Sequence, residues 1–310
     1  MLPPVSHGPV VVLAGGTGGA KVARGMLDVA GEDLVVIANT GDDVEAYGGL
    51  VSPDPDLVTF WLADRIDPRG WGLAGDTFAV MDQLRALGED VWFNLGDRDL
   101  AICLWRARRL VAGDRPTEVA DALRRALDVP ARVLPMADSP VRTWVRARGA
   151  WHAFQAFMIR EGAAGPVEDV EFRGAAEAAV PPELLEAIAT ARAVVVGPSN
   201  PVISIGPILA LPGVRAALAA TAAPVVAVSP LVGGRVLKGP TDAFLAWAGH
   251  PLSADGIAAH YDGLLDGLVA DERTDALPTL ETDVAMPDAA ARHRVARDTL
   301  GFALALRAGG

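Results

Sequence analysis

Apolar positions form short unbroken runs near the start of the chain and again in its second half, with helix-period patterns between them. The runs at residues 10–14, 34–38, 193–196 and 224–228 lack polar alternation, the mark of parallel strands covered on both faces. Each stops at a loop of small and polar residues: Gly15-Gly16-Thr17-Gly18-Gly19, Asn39-Thr40-Gly41-Asp42-Asp43, Gly197-Pro198-Ser199-Asn200-Pro201, and Ser229-Pro230-Leu231-Val232-Gly233-Gly234. A helix over 20–28 joins the first two strands into a βαβ unit, which implies a right-handed crossover and a ligand crevice at the strands' carboxyl ends. Helices follow at 55–65, 76–87, 97–111 and 117–127, then a hairpin of 141–148 and 151–160 and a strand at 167–172. Residues 1–9 read as a loose start, and the tail beyond Asp271 is polar until an amphipathic stretch near 292–306. No internal repeat or linker divides the chain. The pattern predicts a single α/β domain over 1–310: a doubly wound, mostly parallel Rossmann-like sheet (10–50 and 183–271), with a helical insertion at about 52–130 and a small β-hairpin region at about 131–173.

Charge narrows the partners. Lys and Arg number 27 against 39 Asp and Glu, a net charge of −12, which disfavours nucleic acid, since backbone binding needs clustered cations. The longest apolar candidate, 216–228, is too short to span a bilayer and is broken by Pro224. No basic residue precedes Lys21, so neither a secretory signal nor a transit peptide is read, and a cytoplasmic location is expected. The lone Cys103 permits no internal disulfide or Cys-rich zinc site and reads as a buried thiol. The five histidines form no ligand pair. Most of the seven Trp read as core, with one or two left to stack on a planar ring.

The candidate chemistry sits in the loops. Glycines let backbone approach phosphate oxygens, and N–H groups at a helix N-terminus supply positive charge, so an acidic protein can still hold a polyanion. Generic motifs fit poorly. A dinucleotide fingerprint would meet Lys21 at its third glycine and Asn39-Thr40 where a ribose-binding acid belongs, and a Walker A loop would have Ala20 before the lysine and Val22 after it. Gly41-Asp42-Asp43 reads as a turn or as a ligand set. Asp54, followed by Pro55 and Asp56, reads equally as a helix N-cap and as functional, and Asp97 as a cap with Arg98 solvated. Four or more carboxylates beside phosphate-binding loops also suit magnesium-assisted phosphoryl transfer, because that ion takes hard oxygen ligands.

In order, Gly15-Gly16-Thr17-Gly18-Gly19-Ala20-Lys21, Asn39 to Glu45, Leu95-Gly96-Asp97-Arg98-Asp99-Leu100-Ala101, Leu134-Pro135-Met136 with Pro140-Val141-Arg142-Thr143, and Gly197-Pro198-Ser199-Asn200-Pro201 running on through Ser204-Ile205-Gly206 resemble the 2-phospho-L-lactate transferase family of coenzyme F420 biosynthesis, in some bacteria a phosphoenolpyruvate transferase. Val228-Ser229-Pro230 and Lys238-Gly239-Pro240 extend the match. The resemblance implies a Mg2+-dependent transfer of a phosphoacyl unit from a guanosine-diphosphate-linked donor to the deazaflavin Fo, releasing GMP. It places nucleotide and phosphate on Gly15, Gly16, Thr17, Gly18, Lys21, Asn39, Thr40, Ser199, Asn200, Pro201, Ser204 and Ser229. Magnesium falls to one or more of Asp42, Asp43, Asp54 and Asp56, and Asp54, Asp56 and Arg98 serve catalysis and Fo binding. One departure stands out: the family's Pro-Asp-Leu-Asp-Thr is here Pro53-Asp54-Pro55-Asp56-Leu57, without the hydroxyl, and Thr59 sits on a different side of a helix.

The rival readings are a nucleotide-sugar-binding regulator on the same fold and a nicotinamide oxidoreductase. The Val44-Glu45 that follows Asp43 disfavours the first, and the missing third glycine disfavours the second. Which three-carbon acid is carried stays open, since such acids differ by one or two atoms. A homodimer is the base-rate expectation.

Overall fold

The computed structural model of the chain describes residues 8–309, so most of the start expected to be loose lies outside the described residues. Seven strands form one parallel sheet: β1 (Val10–Ala14), β2 (Leu34–Ala38), β5 (Arg132–Pro135), β9 (Ala193–Val196), β10 (Val225–Val228), β13 (Gly267–Ala270) and β14 (Thr279–Glu281), in the spatial order β14-β13-β10-β9-β1-β2-β5. The fold is doubly wound α/β, as the sequence pattern predicts. Val11, Leu13, Val35, Ile37, Val194 and Val196 enter the core on one face. Val10, Val12, Leu34, Val36 and Val195 enter the other. Both faces are therefore covered, which is why these runs show no polar alternation.

The chain runs outward from β1 through β2 to β5, then returns to β9 on the other flank of β1 and continues to β14. The sheet order thus reverses between β1 and β9, where open α/β sheets hold ligands. The loops after β1, β2, β9 and β10 share this edge because the strands are adjacent and parallel.

Several elements differ from the pattern reading. Helix α1 spans Gly16–Ala30, so the glycines form its first turn and only Gly15 precedes it as N-cap. A hairpin, β3 (Val44–Ala46) with β4 (Gly49–Val51), leads into α2 (Pro53–Leu62). The insertion continues with α3 (Ala79–Ala86), α4 (Asp97–Val111) and α5 (Pro116–Ala126). Strands β6 (Arg142–Ala147), β7 (Ala150–Ala153) and β8 (Asp169–Arg173) form an antiparallel sheet, and β11 (Leu231–Val232) pairs with β12 (Arg235–Val236) in a short hairpin after β10. The second hairpin strand ends at Ala153 rather than reaching Arg160, and Phe154–Ile159 is a helix. Phe154 and Phe157, at helical spacing, are buried in one cluster with Val145 and Phe244.

The polar tail is not peripheral: β14 extends the sheet, and the final helix, Ala289–Gly309, buries Val295, Ala296 and Ala303 beside α1 residues. Cys103 is fully buried, as expected. The Trp expectation fails, for none of the seven is buried. Trp71 and Trp92 instead carry Arg69 and Arg160 over their rings at 4.4 and 5.1 Å, contacts that keep one face near solvent. Among the described residues no single helix is long and apolar enough to cross a membrane.

Candidate active site

Two loops meet at the switch point. The Ser199 hydroxyl donates to the Gly15 carbonyl at 2.6 Å, tying the loop after β9 to the loop after β1. Gly18 is needed for this contact, since a Cβ there would lie 1.9 Å from the Pro198 carbonyl oxygen. Gly16 has φ +61°, a conformation that glycine adopts without strain. Gly18→Ala should therefore cost about 1–3 kcal/mol by overpacking, read as a lower urea midpoint.

Beside α1, a cavity of about 450 Å3 is lined on one side by Gly15, Gly16, Thr17, Gly18 and Lys21, and on the other by Ser199, Asn200, Ser204 and Ser229. The Asn200 carboxamide oxygen accepts from the N–H groups of Val202 and Ile203, while its buried Nδ2 has no partner and so remains a donor for a ligand. The Lys21 ammonium donates to the Met286 carbonyl at 3.0 Å. Burial, then Arg292 and Lys238, lower its pKa. Three residues assigned to the nucleotide lie elsewhere. Asn39 sits behind the loop and Thr40 borders a different cavity. Pro201 is buried at the start of the turn Pro201–Ile205.

The carboxylates lie next to this cavity. Ser52 is the N-cap of α2 and Pro53 its first residue, so Asp54 does not cap its own helix. Instead it is buried, accepting from the Gly16 N–H at 2.7 Å and from Asn39 Nδ2 at 2.9 Å. Asp42 is buried with Oδ1 unpartnered. Ser52 Oγ donates to Asp43 at 2.8 Å. Asp56 pairs through Oδ1 with Arg106 and leaves Oδ2 buried without a partner.

Burial pushes all of these acids upward. Asp54 reaches about 6 against the opposing bonds from Gly16 and Asn39, and Asp43 about 7. Asp42 stands well above the usual carboxylate range through burial and the charge of Asp54. Asp56 is raised by burial, with Arg106 opposing. Asp99, raised by burial and by the charge of Asp56, reaches about 7. One ligating atom from each of Asp56, Asp99 and Cys103 lies within 4.8 Å of the others.

On the other side of Asp54 and Asp56 a second cavity, of about 370 Å3, is walled by Phe60, Trp71, Trp92, Phe93 and Leu57. Asp54 therefore stands at a seam. It lines the aromatic cavity and bonds the glycine that lines the polar one. Leu57 presents only hydrocarbon to the aromatic cavity. Thr59 is no substitute for a hydroxyl there, because it donates to the Pro55 carbonyl and faces a third cavity.

Arg98 is exposed at the start of α4 and is not among the residues lining these cavities. The arginine among the acids is Arg106. Nor does Asp97 cap its own helix: it accepts from the N–H groups of Ala79 and Val80 at the start of α3, while Asp76 accepts from those of Arg98 and Asp99 at the start of α4. The sequence reading missed Arg106 and Asp99, and it left one or two Trp for a planar ring without placing them. A residue-level signal existed for the first two, since 99, 103 and 106 fall on one helix face with the buried Cys103.

A model of the 2-phospho-L-lactate transferase CofD family matches residues 10–300. The chain belongs to this family. It is accordingly a transferase enzyme. It is 39% identical over 324 residues to the phosphoenolpyruvate transferase of Kitasatospora aureofaciens, with 97% of this chain and 99% of that protein covered. The 2-phospho-L-lactate transferase of Methanosarcina mazei is 38% identical over 267 residues, covering 85% and 87%. Among solved structures, a member of the upf0052 family from Bacillus halodurans superposes with a TM-score of 0.62 at 16% identity, covering 94% of this chain and 99% of that one, which supports the fold alone.

Proposed function

We propose that this CofD-type transferase moves a 2-phospholactate or phosphoenolpyruvate unit, or a close relative, from a guanosine-diphosphate-linked donor to a ribityl hydroxyl of the deazaflavin Fo, releasing GMP in coenzyme F420 biosynthesis. The observation that carries the reading is the meeting of two unlike cavities at Asp54. The polar cavity offers backbone N–H groups, Lys21 and the Asn200 amide to a diphosphate and a base, and the aromatic one offers Trp71, Trp92 and Phe60 to a planar ring.

In this reading the glycine loop and Lys21 hold the phosphates against the switch point, and Asp54 orients the acceptor hydroxyl at the seam. The hydroxyl oxygen bonds to the phosphorus that bears the acid, the bond from that phosphorus to the GMP oxygen breaks, and the hydroxyl proton passes to Asp54. Positioning and charge neutralisation carry the acceleration, with no covalent enzyme intermediate. Asp42 lines the polar cavity and its buried Oδ1 has no partner, a hard oxygen donor of the kind that fits a magnesium ion. Asp42, with Asp43 adjacent, would hold it. When bound, it would neutralise charge developing on the transferred phosphate.

Incubating the purified protein with Fo, MgCl2 and each guanylated donor in turn should yield a new phosphodiester of Fo and one equivalent of GMP by mass spectrometry. No product with any donor, together with thermal stabilisation by a uridine-diphosphate sugar and not by GMP, would replace this reading with a nucleotide-sugar-binding one.

A further inference from the structure

One buried cation stands inside the acidic seam. Arg106 rises from α4 and is 8% exposed. Its Nη2 donates to Asp56 Oδ1, and its Nη1 donates to the Leu50 carbonyl of β4 at 2.7 Å. A single guanidinium therefore pins three segments that are separate in sequence: the β3–β4 hairpin, the first turn of α2, and α4. Asp99 and Cys103, on the same face of α4, close the wall around Asp56. With Oδ1 held, the other oxygen of Asp56 is the buried, unpartnered Oδ2, and Asp56 lines the aromatic cavity.

We propose that Arg106 is the positioning residue of this active site: its planar fork fixes the Asp56 carboxylate so that Oδ2 is presented to the acceptor. The proposal rests on the transferase reading above. A fork does this work better than a point charge, because two N–H groups set at a fixed angle hold a carboxylate and a carbonyl together, whereas an ammonium on a flexible stem keeps the charge without the angle. Arg106 lines only the third cavity, behind Asp56, so its effect on the acceptor runs through that carboxylate.

The test is a double-mutant cycle of wild type, Arg106→Lys, Asp56→Asn and the double variant, with kcat, the KM of the guanylated donor, Fo binding by deazaflavin fluorescence, and thermal melts. Arg106→Lys is expected to fold, to lower kcat by about tenfold or more, and to leave the donor KM and Fo affinity within about twofold. In the Asp56→Asn background the same change should cost less than about twofold, since no carboxylate remains to be positioned. Equal losses in both backgrounds, or no loss in the wild-type background, overturn the proposal. If Arg106→Lys does not fold, Arg106→Gln takes its place in the cycle under the same criteria; failure of both to fold makes Arg106 a stability element and also overturns the positioning role. A wild-type protein that transfers nothing to Fo defeats the transferase reading and the proposal together, whereas the other outcomes leave that reading standing.

Discussion

Asp54→Asn is expected to lower turnover by about 10²–10³-fold at saturating Fo and donor, the loss typical when one preorganised electrostatic group is removed from a reacting centre. The substitution separates chemistry from folding because Ser52, not Asp54, caps α2. An asparagine keeps one acceptor oxygen for the two donors that now converge on the carboxylate, Gly16 N–H and Asn39 Nδ2. Leaving one of them unmet should cost about 1–3 kcal/mol of stability, far too little to explain such a rate loss in a folded sample. The measurement is single-turnover product formation beside a urea titration. Full activity of both Asp54→Asn and Asp56→Asn would remove the carboxylates from the mechanism.

The second large effect is a pH dependence of stability that magnesium reverses. Asp54 is raised to about 6, and Asp43 and Asp99 to about 7, against about 3.9 for an unfolded aspartate. Between those values the folded chain binds more protons than the unfolded one, so unfolding free energy falls as pH rises. The stability present below about pH 4 is lost progressively as the pH climbs through 6 and 7, and the deficit is complete above the folded pKa values. With the metal withheld by chelation, the contribution of these acids should therefore lower the urea midpoint between pH 5.5 and pH 8. Millimolar MgCl2 should raise the midpoint most at pH 8, where the carboxylates are ionised, because cation binding competes with protons. A magnesium effect that is equal at the two pH values, or absent from both, contradicts the placing of a cation beside these acids.

The parallel core was legible because double burial leaves a plain mark: β1, β2 and β9 begin and end where their apolar runs do. What escaped had weaker or misleading marks. β5 is a short edge strand ending in Pro135, and β14 lies in a polar tail whose outer side needs no apolar run. The glycines of the first loop looked like a turn but form the opening turn of α1, since helix propensity yields to tertiary contact where Gly18 must touch Pro198. At the site, the glycine loop and the Ser199-Asn200 segment were legible as loops at strand ends, while Asp54 read equally as a helix cap and as functional. Arg106 was not legible, because its partner Asp56 lies 50 residues earlier and packing of α4 against the β3–β4 hairpin brings them together. The tryptophans misled for the opposite reason: their apolar area suggested core, but here it walls a cavity.

The crossed caps at Asp76 and Asp97 have a consequence for how this enzyme can change. Each carboxylate closes the other segment's helix, so α3, α4 and the Trp92 stretch between them are fastened as one panel, which the Trp71 stretch leads into. That panel supplies much of the aromatic wall and none of the polar one. Substitutions there would reshape the aromatic cavity while the glycine-lined polar cavity keeps its geometry. In the proposed reaction, acceptor choice and donor choice would be separately adjustable parts of one catalyst, joined at the first turn of α2 and at the helix Phe154–Ile159, whose Met158 lines the polar cavity and Ile159 the aromatic one.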